Sequence, residues 1–449
     1  MMRPRTLVVP TAGERPLLLH RCLLSFLRAC QPYDQSFELV VAHNGSYAEE
    51  ERTRGVLREL AREPGLDSVR FIGRAERRRY VEQLAAQLGG DEEVRAELVY
   101  ALERVGSDGS NRNLLQLELV GDAYVSADDD TVALFSLVPE AELSDPFDEC
   151  IDFDPTEFWF YGSREESFAD ASPHAVCPLW VFDSLLGRDV RIAQTGLVGD
   201  SGMEPSPYLL HHRGAATRAR LLDDYALARA CRYVRRGVAR PTLAAGHMFM
   251  TTFCGFDGSD LLPPFLPLDR GADVLFAETL RATQLSLVGH VPLCVRHDPM
   301  PASPRAPMLS QLGVRATPAH LVSLALREWP RPKFTSGRAR MRSLCAFLDD
   351  LVHDERAFAS EFTALRFNYL SNALEAFELN VAGAEFGEDI DRARRAYADA
   401  LRSAEVDVAR AGTFISAFAR LLAIWPDVDV AARRLRTAGI RPGVEEPPF

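Results

Sequence analysis

The sequence predicts an α/β protein, with a mostly parallel central sheet followed by a helical C-terminal part. Near the amino end, apolar strand-like runs alternate with amphipathic helical segments. Further on, the apolar strand at residues 123–127 ends on three consecutive aspartates. Beyond Gly337, apolar residues recur at three- and four-residue spacing, which is typical of packed helices.

The composition limits the classes of partner. The chain has 449 residues and a formal net charge of −13, which argues against broad electrostatic binding to nucleic acid or anionic lipid. No uninterrupted apolar segment approaches the length of a bilayer span, so no transmembrane segment is expected. The eight cysteines contain no C-x-x-C pair, which favours reduced thiols in a cytoplasmic protein.

The first two strands and the helix between them predict a βαβ unit. Residues 7–9 form a short apolar strand, a helix begins near Pro16, and residues 37–42 form the next strand. Parallel strands joined in this way end at one edge of the sheet, where ligands bind. The segments that follow the strands, residues 11–15, 43–46 and 128–130, are therefore expected to meet in one crevice.

The three aspartates predict a cation site. If the extended geometry continues past Ala127, Asp128 and Asp130 share one side of the strand and Asp129 faces the other. Two carboxylates on one side repel each other, and an oxygen-preferring divalent cation would relieve that repulsion. Such a cation would also hold a diphosphate. A polar turn that caps the next element is the alternative.

Later segments bear on the architecture. Residues 195–202 are rich in glycine and predict a loop, either a flexible rim of the site or an acceptor-binding loop. Residues 301–307 contain three prolines and predict a boundary between residues 1–307 and residues 308–449. The second part is expected to contain helices at residues 341–352, 357–379, 390–411, 413–425 and 428–438.

The stretch at residues 105–131 resembles a known family. A glycine- and serine-rich turn leads to Asn-Arg-Asn at residues 111–113, and a short helix and an apolar strand then lead to the D-x-D of Asp128 and Asp130. This order is similar to the core of GT-A fold glycosyltransferases, particularly family-2-like enzymes that use a nucleotide diphosphate sugar. Residues 7–16 resemble the family's first strand and nucleotide-binding loop. The resemblance implies a GT-A, Rossmann-like sheet domain.

The resemblance also implies binding residues. The donor, with UDP as the expected nucleotide, would be bound by Thr11, Gly13, Glu14, Arg15, Asn44, Arg112, Asn113 and Asp128. A divalent metal, Mn²⁺ or Mg²⁺, would be bound by Asp128, Asp130 and His297. For His297, which ends an apolar strand, a structural role is the alternative. Residues 43–46 read His-Asn-Gly-Ser where the family often has acidic residues, so the base of the donor stays open.

A catalytic base is the next role that the resemblance implies. Residues 271–273, Gly-Ala-Asp, resemble the family's Gly-Glu-Asp, so Asp273 would deprotonate the acceptor hydroxyl in an inverting transfer. Alanine at position 272 leaves out one of the two acids. Asp269 is the second candidate for the base, and Asp273 can equally be a helix N-terminal residue favoured by the helix dipole.

Other functions stay open on the sequence. A nucleotidyltransferase acting on a sugar phosphate would share the sheet and the metal, but residues 11–15 lack its glycine-rich loop. A catalytically inactive sheet domain would serve as a binding scaffold. No motif identifies the acceptor, for which a glycan, a natural product, a lipid-linked sugar and a peptide are all candidates. The helical part is expected to cap the sheet, or to bind the acceptor, a partner protein or a second copy of the chain.

Overall fold

The computed structural model describes residues 5–445, apart from residues 144–146, 151–153, 188–189, 202–213, 246–248, 269–270, 300–317, 331–332, 334–335, 382–386 and 403. The described strands, β1 to β13 in chain order, are Thr6–Thr11, Phe37–His43, Leu66–Ile72, Ala123–Ala127, Thr131–Leu137, Asp148–Cys150, Glu157–Tyr161, Val190–Asp200, Tyr233–Gly237, Thr242–Ala244, Phe253–Asp257, Leu287–His297 and Val444–Glu445. The described α-helices, α1 to α14, are Pro16–Cys30, Tyr47–Leu60, Arg74–Gln87, Glu92–Leu102, Asp108–Glu118, Arg164–Ala169, Ala215–Asp223, Tyr225–Ala230, Ala272–Gln284, Pro318–Glu328, Gly337–His353, Glu355–Val381, Gly387–Arg402 and Ala404–Thr437.

All the strands belong to one mixed sheet, and the α/β prediction is confirmed. Neighbouring strands are parallel in the order β3-β2-β1-β4, and helix α1 joins β1 to β2 as the βαβ prediction requires. Strand β11 is antiparallel to both β4 and β8, while β12 is parallel to β8. The strands β4, β8 and β12 therefore end at the same edge of the sheet as β1.

The glycine-rich segment lies in the sheet. Residues 195–200 belong to β8, which pairs with β9, β11 and β12, so the loop prediction is wrong for these residues. A Cβ at Gly196 would lie 2.1 Å from the carbonyl oxygen of Arg236, and one at Gly199 would lie 2.3 Å from that of His297. The glycines allow neighbouring backbones to approach closely, which is a different reason for glycine from flexibility.

The C-terminal helices lie close to their predicted positions, with two differences. The helix predicted at residues 390–411 corresponds to α13 only as far as Arg402, and residues 404–411 belong to α14. The last two predicted helices are one helix, α14, which continues through Pro426. A proline inside a helix costs about 3 kcal/mol because it removes a hydrogen bond and crowds the preceding turn. Trp425 and Val428, on either side of the proline, are fully buried, and their burial offsets that cost.

One hydrophobic cluster joins the sheet to the helical part. It contains Val8 of the sheet together with Leu344, Phe362 and Trp425 of the C-terminal helices. The indole N–H of Trp425 donates a hydrogen bond of 2.9 Å to the carbonyl oxygen of Leu262. Strand β13, which follows the last helix, pairs with β3. The helices therefore cap the sheet and share its core, while the predicted boundary at residues 307–308 lies outside the described residues.

One described helical segment, Val408–Thr437 within α14, is long and apolar enough to cross a membrane by length and composition, with a mean hydropathy of 1.3. Phe418, Leu421 and Leu422 of this segment are fully buried in the shared cluster. The core helix of a soluble protein meets the same two criteria, and 44% of the apolar window of this segment is buried inside the structure.

Deleting residues 308–449 is expected to prevent the remaining chain from folding, because it removes one side of the shared cluster. The milder change Trp425→Ala is expected to lower the free energy of unfolding by about 3–5 kcal/mol, as cavity-forming substitutions of large aromatics do. Urea denaturation and circular dichroism measure both effects. A cooperative unfolding transition in the 1–307 fragment would show instead that the helical part is an independent domain.

Candidate functional site

The carboxyl ends of β1, β4 and β12 bring several predicted residues together. The hydroxyl of Thr11 donates a hydrogen bond of 2.6 Å to Oδ2 of Asp129. Nε2 of His297 lies 3.2 Å from Oδ1 of Asp130. Residues separated by more than a hundred positions in the chain thus meet at one edge of the sheet, as the parallel topology predicts.

The three aspartates form a turn, which we call the aspartate turn (residues 128–130). The extended backbone of β4 ends at Ala127. The N–H of Thr131 then donates to the carbonyl oxygen of Asp128 at 3.1 Å, and the N–H of Asp128 donates to that of Thr252 at 3.1 Å. The alternation of side chains assumed from the sequence is wrong here, because it applies only to extended backbone.

Arg15 supplies positive charge to two of the carboxylates. Its guanidinium donates to Oδ2 of Asp130 and to Oδ1 of Asp129, both at 3.0 Å. Asp129 and Asp130 therefore face one group, where the sequence had paired Asp128 with Asp130. Arg15 is placed by helix α1, since it is the residue that precedes Pro16 at the start of that helix.

Arg112 compensates the third carboxylate. From helix α5 it donates to Oδ1 of Asp128 at 2.5 Å and, through Nε, to Oδ2 of Asp108 at 2.6 Å. It also donates to the hydroxyl of Ser126 at 3.3 Å. Only 4% of its side chain is exposed, so Arg112 is a fixed cation that orients the first aspartate of the turn.

Burial and charge separate the pKa values of these groups. Burial raises the pKa of Asp129 to about 6, although the charge of Arg15 acts in the opposite direction. Burial also acts on Asp130, but the hydrogen bond and charge of His297, together with Arg15, lower the pKa of Asp130 to about 2. The pKa of His297 is lowered by burial and raised more strongly by Asp130, to about 9. Asp130 and His297 therefore form an ion pair at neutral pH.

The described side chains do not form a ready metal site. No group of three or more His, Cys, Asp or Glu that could hold a metal ion is found among the described residues. Both oxygens of Asp130 are bound, by Arg15 and His297, and Arg112 binds one oxygen of Asp128. The donor types suit Mg²⁺ or Mn²⁺, but a cation held by Asp128, Asp130 and His297 requires Arg15 to leave and the imidazolium to lose a proton.

The loop that carries Arg15 depends on Gly13. Its φ of +75° lies in the left-handed region, and a Cβ there would lie 2.4 Å from Cε1 of His43. The N–H of Gly13 donates to the hydroxyl of Thr11 at 2.9 Å. Glu14, the next residue, is exposed to solvent. A glycine is therefore required for the loop to pass over the end of β2.

Two asparagines predicted to bind the donor form side-chain hydrogen bonds with backbone groups. Nδ2 of Asn44 donates to the carbonyl oxygen of Ser107 at 2.6 Å. Asn113 donates to the carbonyl oxygen of Phe265 at 2.8 Å and accepts a hydrogen bond from its N–H at 2.7 Å. These side chains fix the segments around the site, and their contact with a donor stays a prediction.

Asp273 lies in the first turn of helix α9, and its Oδ1 accepts a hydrogen bond of 2.9 Å from the N–H of Val274. Burial raises its pKa, while the charge of Arg112 lowers it and that of Asp108 raises it. Asp273 therefore lies close enough to Arg112 for the charge of Arg112 to affect its pKa. Asp269, the second candidate for a base, lies outside the described residues.

Sequence reasoning missed a basic cluster beside the aspartate turn. Arg21, Arg164 and Arg296 surround Asp298, whose N–H donates to the carbonyl oxygen of Asp130 at 3.1 Å. Arg21 donates to Oδ2 of Asp298 at 3.0 Å, and Arg164 donates to its two oxygens at 2.8 and 2.6 Å. The three arginines are far apart in the chain, and no spacing signal connects them.

No protein-family model matches the sequence, and no curated protein does either. Grounds for a function therefore come from the fold and from the site described above.

Replacing Gly13 by alanine is expected to lower the free energy of unfolding by about 1–3 kcal/mol, through backbone strain and the contact with His43. Gly90→Ala is the matched control, because Gly90 has a φ of +73° but no atom within 4 Å of its Cβ position. Urea denaturation of the two variants separates the contact from the strain. Equal losses in both would show that the contact with His43 contributes nothing.

Proposed function

We propose that the protein is a glycosyltransferase with a GT-A-like sheet domain, which moves a sugar from a nucleotide diphosphate sugar to a hydroxyl of an acceptor. One observation carries the proposal: Thr11, Arg15, Arg112 and the aspartate turn lie together at the carboxyl edge of β1 and β4. Ligands of parallel sheets bind at this edge, and arginines are the preferred partners of phosphate groups. UDP is the nucleotide that the family resemblance favours.

The two arginines have different roles in this proposal. Arg112 is buried and keeps Asp128 oriented, so that this carboxylate can accept hydrogen bonds from ribose or sugar hydroxyls. Arg15 has 41% of its side chain exposed, and its guanidinium can turn from the aspartates towards a diphosphate. Positive charge beside the departing diphosphate stabilises the charge that develops there during transfer.

A divalent cation, Mn²⁺ or Mg²⁺, is part of the proposal, with Asp128, Asp130 and His297 as the residues that would hold it. When bound, such an ion offsets negative charge on a diphosphate leaving group. The contact of His297 Nδ1 with the carbonyl oxygen of Asp200, at 2.5 Å, fixes the ring with Nε2 towards Asp130. With a cation held there, Arg15 would lose its partner at Asp130 and could donate to a phosphate instead.

Asp273 is the proposed general base, with Asp269 as the second candidate. Burial raises the pKa of the Asp273 carboxyl in the direction of neutral pH. A general base is most effective when its pKa lies near the working pH. The proposed transfer inverts the anomeric carbon.

A binding scaffold without catalysis is the alternative that a specific observation favours. Each carboxylate of the aspartate turn is already paired with a cationic side chain, which is a stable arrangement without any ligand. A scaffold would bind a nucleotide sugar without turning it over. The sequence-based alternative, a nucleotidyltransferase, would consume a nucleoside triphosphate and release pyrophosphate.

The metal prediction is tested with the ion alone. Titration of the full-length protein with Mn²⁺ in a calorimeter is expected to show binding, and Asp130→Ala is expected to abolish it by removing a central ligand. Asp427→Ala, at an exposed carboxylate of helix α14, is the control and should bind Mn²⁺ like the wild type. Undiminished Mn²⁺ affinity in Asp130→Ala would remove the metal from the proposal.

The base prediction is tested on donor turnover. Asp273→Asn is expected to bind UDP-sugars normally but to transfer or hydrolyse them about 10²- to 10⁴-fold more slowly, as expected for a lost general base. Binding is measured by calorimetry and turnover by release of UDP. Unchanged turnover would move the role to Asp269, and retention of configuration in the product, seen by NMR, would contradict the inverting mechanism.

A further inference from the structure

We propose that Arg21, Arg164 and Arg296 form a binding site for a phosphate group, beside the aspartate turn and separate from the donor site. The ligand class is a phosphate monoester, carried by the acceptor. The assignment to the acceptor rests on the proposed glycosyltransferase function, whereas the phosphate site itself does not.

The cluster contains more positive than negative charge. Three guanidinium groups surround one carboxylate, that of Asp298, whose side chain is only 6% exposed. Glu165 lies 3.5 Å from Arg164, but it points into solvent with 78% of its side chain exposed. Even with Glu165 counted, three positive charges face two negative ones. A further anion would complete the balance.

Arg296 differs from the other two arginines of the cluster in its contacts. Among the described residues no carboxylate lies within ion-pair distance of it, and its guanidinium stacks 4.0 Å from the ring centroid of Phe168. Arg164 lies over the same ring at 4.9 Å. Stacking on a ring face holds a guanidinium in one plane and leaves its N–H groups at the edge, where an oxyanion can accept them.

Arg21 also has an unused donor. Its Nε is buried and has no hydrogen-bond partner among the described residues. The guanidinium groups of Arg21 and Arg164 both bind Oδ2 of Asp298, at 3.0 and 2.6 Å, so these two positive charges lie close together. Positive charges that repel one another in this way gain from a bound anion.

A purely structural clamp on Asp298 does not account for all three arginines. Arg164 binds both oxygens of Asp298, and Arg21 binds one of them and the backbone carbonyl. Both oxygens of the carboxylate already accept hydrogen bonds without Arg296. The third arginine therefore has a purpose that the clamp does not explain.

The position of the cluster assigns it to the acceptor. On the donor side, Arg112 binds the carboxylate of Asp128, and Arg15 binds those of Asp129 and Asp130. The cluster is joined to the turn differently, through the hydrogen bond from the N–H of Asp298 to the carbonyl oxygen of Asp130. The arginines come from α1, α6 and β12, and Arg164 follows the carboxyl end of β7. The cluster thus borders the aspartate turn beside the proposed donor site, and a transfer between two bound substrates requires such closeness.

Calorimetric titration of the full-length protein with inorganic phosphate at low salt tests the site. Arg296→Gln is expected to weaken phosphate binding about tenfold or more, since it removes a charge-assisted contact. Asp298→Asn is expected to strengthen binding several-fold, because it removes the internal competitor for two guanidinium groups. Arg240→Gln, at an exposed arginine paired with Glu142, is the control and should leave phosphate binding unchanged.

The decisive result is that phosphate affinity falls in Arg296→Gln and rises in Asp298→Asn. If Asp298→Asn weakens phosphate binding as Arg296→Gln does, or if Arg296→Gln leaves it unchanged, the cluster is a structural clamp and the phosphate site does not exist. Thermal unfolding checks that each variant is folded. Arg164→Gln, at a more exposed position, replaces Arg296→Gln if the latter unfolds early, and the same tenfold loss is expected.

Repeating the phosphate titration with saturating UDP and Mn²⁺ separates the two substrates. Unchanged phosphate affinity supports a separate acceptor site. If UDP displaces phosphate and Arg296→Gln also weakens UDP binding, the arginines belong to the donor diphosphate and the acceptor assignment is overturned. If no nucleotide binds while the phosphate results hold, the proposed glycosyltransferase function fails and the phosphate site stands.

Discussion

Three carboxylates in one largely buried turn need positive charge within a few ångströms, and the organisation of the site follows from this constraint. Burial alone would drive Asp128, Asp129 and Asp130 towards their neutral forms. Arg15 and Arg112, with the protonated His297 beside Asp130, keep negative charge in the turn. The turn is therefore a compensated cluster, whose ionic state changes when any one partner moves.

The compensating groups also fix the elements that carry them. Arg15 is at the start of α1, Arg112 is in α5 and His297 is at the end of β12, so each pair ties a different part of the chain to the end of β4. Buried ion pairs add little net stability, because desolvation opposes their attraction. Losing one partner is costly, since it leaves an uncompensated buried charge. Such pairs therefore favour one arrangement of strands and helices over others, although they add little to its free energy of unfolding.

The sequence predicts the elements of this site better than its contacts. Apolar alternation and flanking turns place β4 at residues 123–127, which are its observed bounds. The shape of the aspartate turn depends on the carbonyl oxygen of Thr252, more than a hundred residues later in the chain. No local pattern encodes that bond, or the contact of Arg15 with Asp130. The loop prediction around Gly196 was wrong for a similar reason. A glycine that lies against a neighbouring backbone and a glycine in a loop look identical in sequence.

The net charge of −13 repels anionic ligands at long range, but charges farther away than about 8 Å are largely screened at physiological salt. Anion binding therefore depends on the charges close to the site. On both sides of the aspartate turn, arginines are paired with carboxylates of the protein itself. Arg15 is held by Asp129 and Asp130, and Arg21 and Arg164 are held by Asp298. An arginine with an internal carboxylate partner is already oriented, so an incoming phosphate exchanges one counter-ion for another. This exchange lowers the gain in affinity from each charge and favours ligands whose phosphates match the fixed spacing of the guanidinium groups.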